Sequence, residues 1–190
     1  MKRLILTDCF GVILDEIAPN WFQEHFTSPE EAKALKDKYF VPFDLGDISF
    51  DEVMEKMAKE LHFDAKELKD YWLNGVVINQ NLLAFYDSLR EQGDVIALAS
   101  NAGKPFLDDI LDQHDLRKHF DAIFISSHFH IVKPDHAFYR ACLSQFHEPF
   151  PEIFMIDDSL ANLKGLEELG IQAIHYHGLE ELMTLLKKKG

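Results

Sequence analysis

The stretch Leu4-Ile5-Leu6-Thr7-Asp8-Cys9-Phe10-Gly11-Val12 decides how this chain is to be read. Its first four residues are apolar or β-branched throughout, which suits a strand covered on both faces, and the run stops at a carboxylate and a glycine. Lys2 and Arg3 ahead of it look like the start of a secretory leader. Asp8 interrupts the apolar run, however, and no small-residue cleavage site follows, so a buried strand is expected. Further runs of the same character occur at residues 95–99, 122–125, 153–156 and 172–174. Helical patterns lie between them. From Asn79 to Arg90, apolar residues recur at Leu82, Leu83, Phe85, Tyr86 and Leu89, with Gly93 as a stop. Pro134 is expected to open a helix through Phe146, and Ser159 to cap one with Leu160, Leu163, Leu166 and Leu169 inward and Gly170 at its end. Strand–helix alternation of this kind implies a doubly wound α/β structure with a parallel sheet.

Residues 15–78 break the alternation. They contain no convincing strand, only short helices with recognisable starts: Ser28-Pro29-Glu30-Glu31, Ser49-Phe50-Asp51-Glu52, and Asp64 with Glu67. A helical insertion after the first strand is a candidate cap or lid. The expected division is therefore a core from residues 1–14 and 79–190, with a helical cap at 15–78.

Composition limits what such a protein can meet. With 19 basic and 33 acidic residues, the formal net charge of -14 repels nucleic acid and anionic membranes at long range. It would also repel an anionic substrate unless a cation reverses the sign locally, so a phosphorylated substrate would call for a metal. Cys9 and Cys142 are too few for a disulfide framework, and no apolar run approaches the ~20 residues of a membrane span, so a cytoplasmic protein is expected. Lys187-Lys188-Lys189 suits a helix end and receives no binding role.

Ligands of open α/β sheets sit beyond the carboxyl ends of the strands. The polar residues there are Asp8, then Ser100 and Asn101, then Lys133, then Asp157 and Asp158. In this order they resemble the four motifs of the haloacid dehalogenase-like superfamily. Asp8-Cys9-Phe10-Gly11-Val12 is similar to the first, Ser100-Asn101 to the second, Lys133-Pro134-Asp135 to the third, and Asp157-Asp158 with Asn162 to the fourth. The similarity spans nearly the whole chain, and residues 15–78 fall where that family carries a small α-helical cap on a Rossmann-like core.

The resemblance implies a magnesium-dependent phosphomonoester hydrolase acting on a small phosphorylated metabolite, with a sugar phosphate as the default. Asp8 would be the nucleophile, forming an aspartyl-phosphate that water hydrolyses. Mg2+ would be held by Asp8, Asp157 and the backbone carbonyl of Phe10, with Asp158 behind them holding a metal-bound water or orienting Lys133. Lys133 would place positive charge beside Asp8 and the phosphate, and Ser100 and Asn101 would donate hydrogen bonds to the transferring group.

One position departs from the family. Phe10 stands where its phosphatases carry a second Asp, the general acid–base, and a phenyl ring transfers no proton. Such a loss costs about 100- to 10,000-fold in rate, less for good leaving groups. Family dehalogenases carry an aromatic residue there, so a 2-haloacid dehalogenase is one alternative, although Asp157-Asp158 matches the magnesium-binding phosphatase pattern. A catalytically silent magnesium- and phosphate-binding protein is another. His128 and His130 could share a face and shuttle a proton, but surface-loop histidines are the more ordinary reading, as is a solvated strand end for His175 and His177. Trp21, Phe22 and Phe26 are expected in the core rather than a pocket, Cys9 in the core, and Asp15 and Glu16 in a turn or hinge.

Overall fold

A computed structural model describes residues 2–187. Lys188 and Lys189 of the basic C-terminal run lie outside the described residues. Five strands, β1 (Leu4–Thr7), β2 (Val95–Ser100), β3 (Ala122–Ile125), β4 (Ile153–Asp157) and β5 (Ile171–His175), form one parallel sheet in the order β3-β2-β1-β4-β5. All five match the apolar runs of the sequence, each within a residue of its expected bounds. The central strand registers Thr7 with both Leu98 and Ile156, so Asp8, Ser100 and Asp157 arrive at one edge. The chain grows outward from β1 on one side, then returns to β4 on the other. That reversal opens a crevice beside the end of β1.

Strand alternation sends side chains to two buried clusters. Leu4 and Leu6 join Ala97, Ala99, Met155 and Phe138 on one face, whereas Ile5 joins Ile96, Leu98 and Ile156 on the other. Fully burying an aliphatic side chain of this size contributes roughly 1.5–3 kcal/mol, so each strand is fixed in register by several such residues. Arg3 is buried below the sheet. Its Nε and Nη2 donate to Asp94 Oδ2 at 3.1 and 2.5 Å, and its Nη1 to the Leu186 carbonyl at 2.7 Å.

The insertion leaves and re-enters the core at a single neck. There Asp15 N donates to Val77 O at 3.0 Å, Asn79 N donates to Ile13 O at 2.9 Å, and Leu14 bridges Ile78 antiparallel. Between these points run α1 (Ala18–His25), α2 (Pro29–Leu35), a π-helical turn (Lys36–Phe40), α3 (Val41–Leu45), α4 (Phe50–Leu61) and α5 (Ala65–Asn74). The three expected starts hold: Ser28 accepts from Glu31 N, Ser49 and Glu52 form a capping box, and Asp64 accepts from Lys66 N and Glu67 N. The helices bury Trp21, Phe22, Met54, Met57 and Trp72 in the same cluster that covers one face of the sheet, so Trp21 and Phe22 are core residues as expected.

Back in the core, α6 (Gln80–Glu91) is capped by Asn79, and α7 (Phe106–Gln113) follows β2. After β3 come α8 (Ser126–Phe129) and α9 (His136–Leu143). The latter begins two residues later than Pro134 suggested, because the Asp135 side chain caps it by accepting from Ala137 N at 2.8 Å. The helix expected after Ser159 is broken. α10 (Leu160–Leu163) ends at Lys164, which turns extended, Gly165 follows with φ of +75°, and residues Leu166–Leu169 form a separate 3-10 turn; Leu160 is 65% exposed. A last helix, α11 (Leu179–Leu185), follows β5. No helix among the described residues is long and apolar enough to cross a membrane.

Candidate active site

The crevice at the ends of β1 and β4 gathers the motif residues. Lys133 reaches across from the loop after β3, fully buried. Its Nζ lies 2.9 Å from Asp8 Oδ1 and 2.7 Å from Asp157 Oδ2. Burial opposes its charge, but Asp8 and Asp157 outweigh that and hold its pKa above the ordinary lysine value. Asn101 positions it by gripping its main chain, with Nδ2 donating to Lys133 O at 3.0 Å and Oδ1 accepting from Lys133 N at 2.8 Å. One Nδ2 hydrogen remains for donation to a ligand. Ser100 is fully buried at the end of β2 and does not itself line the cavity, although Asn101 beside it does.

Asp8 Oδ1 also accepts from Cys9 N at 2.7 Å, so its other oxygen is the one left for chemistry. Burial, reinforced by Asp157, pushes this carboxyl up to about 8 in spite of Lys133. Cys9 itself is buried, and burial and then Asp8 push its thiol well above the ordinary value, which leaves it inert as a nucleophile.

The adjacent acids after β4 face different surroundings. Asp157 is fully buried and both its oxygens are hydrogen-bonded: Oδ1 accepts from Ser159 N at 2.8 Å and Asn162 Nδ2 at 3.0 Å, and Oδ2 from Lys133 and Asn162. Asp158 is partly buried and lines the cavity, its carboxyl raised by burial and then by Asp157. The sequence reading set Asp157 at the ligand and Asp158 behind it; both belong to the same cluster, with Asp157 the more fully hydrogen-bonded and Asp158 the one that lines the cavity. Gly11, with φ of +81°, is required here, because a Cβ at that position would sit inside the Asp158 carboxylate. His175 Nε2 lies 2.8 Å from the Asp158 carbonyl and steadies the same loop.

One oxygen from each of Asp8, Asp157 and Asp158 lies within 4.8 Å of the others, the only such cluster among the described residues. Three carboxylates against one buried lysine leave a surplus of negative charge. Oxygen donors in that arrangement fit a small hard divalent cation, which would relieve the upward pressure on Asp8.

Above this floor lies a cavity of about 290 Å³. Sequence reasoning missed most of its walls. Phe10 turns its ring into it and stacks on Phe106 at 6.2 Å and 7°. Phe40, Phe43 and Trp72 come from the helical insertion, as do the ionisable groups Lys36 and Asp44. Burial raises the Asp44 carboxyl to about 7 although Lys36 and Lys133 pull it down. Glu16, expected only at a hinge, also lines the cavity, and burial and then Asp158 raise it to about 7. His128 and His130 do not line it, and His128 pairs with Asp108 at 3.1 Å. The insertion is fastened over the site by Ser126, whose Oγ donates to Asp44 O at 2.6 Å and accepts from Ala102 N at 3.0 Å.

Comparison with known proteins agrees with this geometry. The model of the haloacid dehalogenase-like hydrolases matches residues 2–170. The chain belongs to this hydrolase family. Its fold is that of a HAD-family enzyme from Bacteroides thetaiotaomicron, with a TM-score of 0.80 and 23% identity over 98% of this chain and 99% of that one. That enzyme has also been solved in complex with magnesium and inorganic phosphate. A HAD-like hydrolase from Porphyromonas gingivalis superposes with a TM-score of 0.76 at 22% identity, covering 100% of both chains. A dehalogenase superposes with 0.71 at 19%, covering 99% of this chain and 98% of its own. In sequence, the drimenol cyclase drtB of Aspergillus calidoustus is 25% identical over 192 residues, covering 98% of this chain but 36% of that protein. The chain thus spans little more than a third of that relative's length.

Proposed function

We propose that this hydrolase cleaves phosphomonoesters with the help of magnesium, through a phosphoryl group carried transiently on Asp8. The observation that carries the reading is the Lys133 ammonium held between Asp8 and Asp157, in a cluster of three carboxylates of which Asp8 and Asp158 line the cavity. Asp8 and Asp158, with the Phe10 carbonyl, would hold the ion, and Asp157 would stand behind them as the anchor of Lys133, Ser159 and Asn162. Magnesium, when bound, supplies the positive charge that lets a carboxylate approach a phosphate dianion.

The chain's own residues do the rest. Asp8 would offer its free oxygen to the phosphorus, because Cys9 N and Lys133 hold the other one. Lys133 neutralises charge on the transferring group and stays protonated throughout. The insertion would open at the neck around residues 15 and 77 to admit substrate and close to exclude water. The magnesium and phosphate bound by the Bacteroides enzyme support this reading through a shared fold.

Phe10 favours a second reading, dehalogenation, in which a halide leaves without a proton. The acidic cluster counts against it, because an anionic haloacid gains nothing from three carboxylates. Phosphate release from a panel of esters, with magnesium or EDTA and beside Asp8→Asn, tests the proposal. Magnesium-dependent release abolished in the variant is expected. Halide release from 2-haloacids with no phosphate release from any ester would replace phosphatase with dehalogenase.

A further inference from the structure

The cavity wall and the missing acid point to the same kind of substrate. A sugar phosphate presents several hydroxyls, each of which needs a partner once water is excluded. The wall facing the motif residues offers few. It is built from Phe10 and Phe106 stacked on one another and from Phe40 and Trp72 stacked at 5.7 Å and 20°. Phe43 links the two pairs, with ring centroids 6.2 Å from Phe40 and 6.1 Å from Phe106. Gly103 leaves room for Phe43, since a Cβ there would overlap its ring. The insertion adds three ionisable groups, Glu16, Lys36 and Asp44, against the rings of Phe40, Phe43 and Trp72. A volume of about 290 Å³ lies at the bottom of the ~300–1,000 Å³ range of ligand pockets, enough for a phosphate and one ring.

Phe10 belongs to this apolar wall, and it stands where the resemblance to the family's phosphatases would put the general acid. A ring that shelters an apolar leaving group itself donates no proton to that oxygen. An alkoxide cannot depart readily on those terms, whereas a phenoxide can, because phenols ionise near pH 10.

We infer that the substrate is a phosphomonoester of a single-ring phenol, its aryl group held among Phe10, Phe40, Phe43, Trp72 and Phe106. The inference rests on the phosphatase reading above. Asp8 attacks phosphorus, and the P–O bond to the aryl oxygen breaks with its electron pair leaving on that oxygen. The phenoxide takes a proton from solvent. Water then attacks the phosphorus of the aspartyl-phosphate, releasing inorganic phosphate and returning the Asp8 carboxylate.

The test compares phenyl phosphate, benzyl phosphate and glucose 6-phosphate with magnesium, and inhibition by phenylphosphonate with that by methylphosphonate. Phenyl phosphate should exceed glucose 6-phosphate at least about 100-fold in kcat/KM. Benzyl phosphate should share its KM range but fall about 100-fold or more in kcat, because its alkoxide needs the missing acid. Phenylphosphonate should inhibit about 10- to 100-fold more tightly than methylphosphonate, the worth of burying one ring. Phe10→Asp should raise turnover of benzyl phosphate far more than that of phenyl phosphate; the wild-type comparisons decide the matter if this variant does not fold. Magnesium-dependent release that favours glucose 6-phosphate, or equal inhibition by the two phosphonates, would overturn the aryl assignment and leave the phosphatase reading intact. No release from any ester would overturn both.

Discussion

Replacing Lys133 with methionine isolates the electrostatic core of the site. Methionine keeps most of the buried volume, so the perturbation is the loss of one charge rather than a cavity. The ammonium lies 2.9 Å from Asp8 and 2.7 Å from Asp157, and its side chain has no exposure to solvent. Without it, two carboxylates that are 7% and 0% exposed face each other uncompensated. Removing one member of a buried ion pair costs about 3–5 kcal/mol. At about 2–4 °C per kcal/mol for a chain of this size, Tm should fall by about 6–20 °C in EDTA at pH 8. The deficit should shrink at pH 5, where the abandoned carboxyls can protonate, and magnesium should restore part of it at pH 8. Thermal melts followed by circular dichroism measure all three. A Tm within about 2 °C of wild type in EDTA at pH 8 would refute the claim that Lys133 balances a buried acidic cluster.

Other changes separate stability from chemistry. Asp94→Ala strands the buried Arg3 guanidinium at the far end of the sheet, and urea unfolding should report a loss of about 3–5 kcal/mol while activity at 25 °C stays unchanged. Gly11→Ala drives a methyl group into Asp158 and forces a residue with a Cβ to φ of +81°; kcat should fall at least about 10-fold. Asp44 binds its proton more tightly folded, near 7, than unfolded, near 3.8, so its contribution falls as pH rises through that window. Asp44→Asn should therefore gain about 1–3 kcal/mol over wild type at pH 8 and nothing at pH 4, measured by urea unfolding at both.

How much of this was legible in the sequence follows from what each feature depends on. The strands were, because a strand buried on both faces is apolar nearly throughout, and β1, β2 and β4 are apolar up to their last residues, Thr7, Ser100 and Asp157. The motif acids and Lys133 were, because the sheet forces strand ends together. The different surroundings of Asp157 and Asp158 were not. Neighbouring residues at a strand end point to opposite sides, and only the packed loop reveals that Lys133, Ser159 and Asn162 claim the first. Lys36, Asp44 and Trp72 were equally hidden. They reach the cavity through the packing of the π-helical turn, α3 and α5, and no periodicity distinguishes a ring facing a cavity from one facing the core. Glu16 carried a weak signal, its closeness to the first motif. The break at Gly165 was masked by a leucine spacing that reads as one continuous helix.

The most direct test of the account is acid quenching during turnover of phenyl phosphate with magnesium, followed by mass mapping of the peptide around Asp8. With Phe10 unable to activate water, breakdown of the phosphorylated enzyme should be slow and a phosphoryl adduct should accumulate on Asp8. Phosphate release without any adduct there, at a rate that Asp8→Asn leaves unchanged, would contradict the central claim.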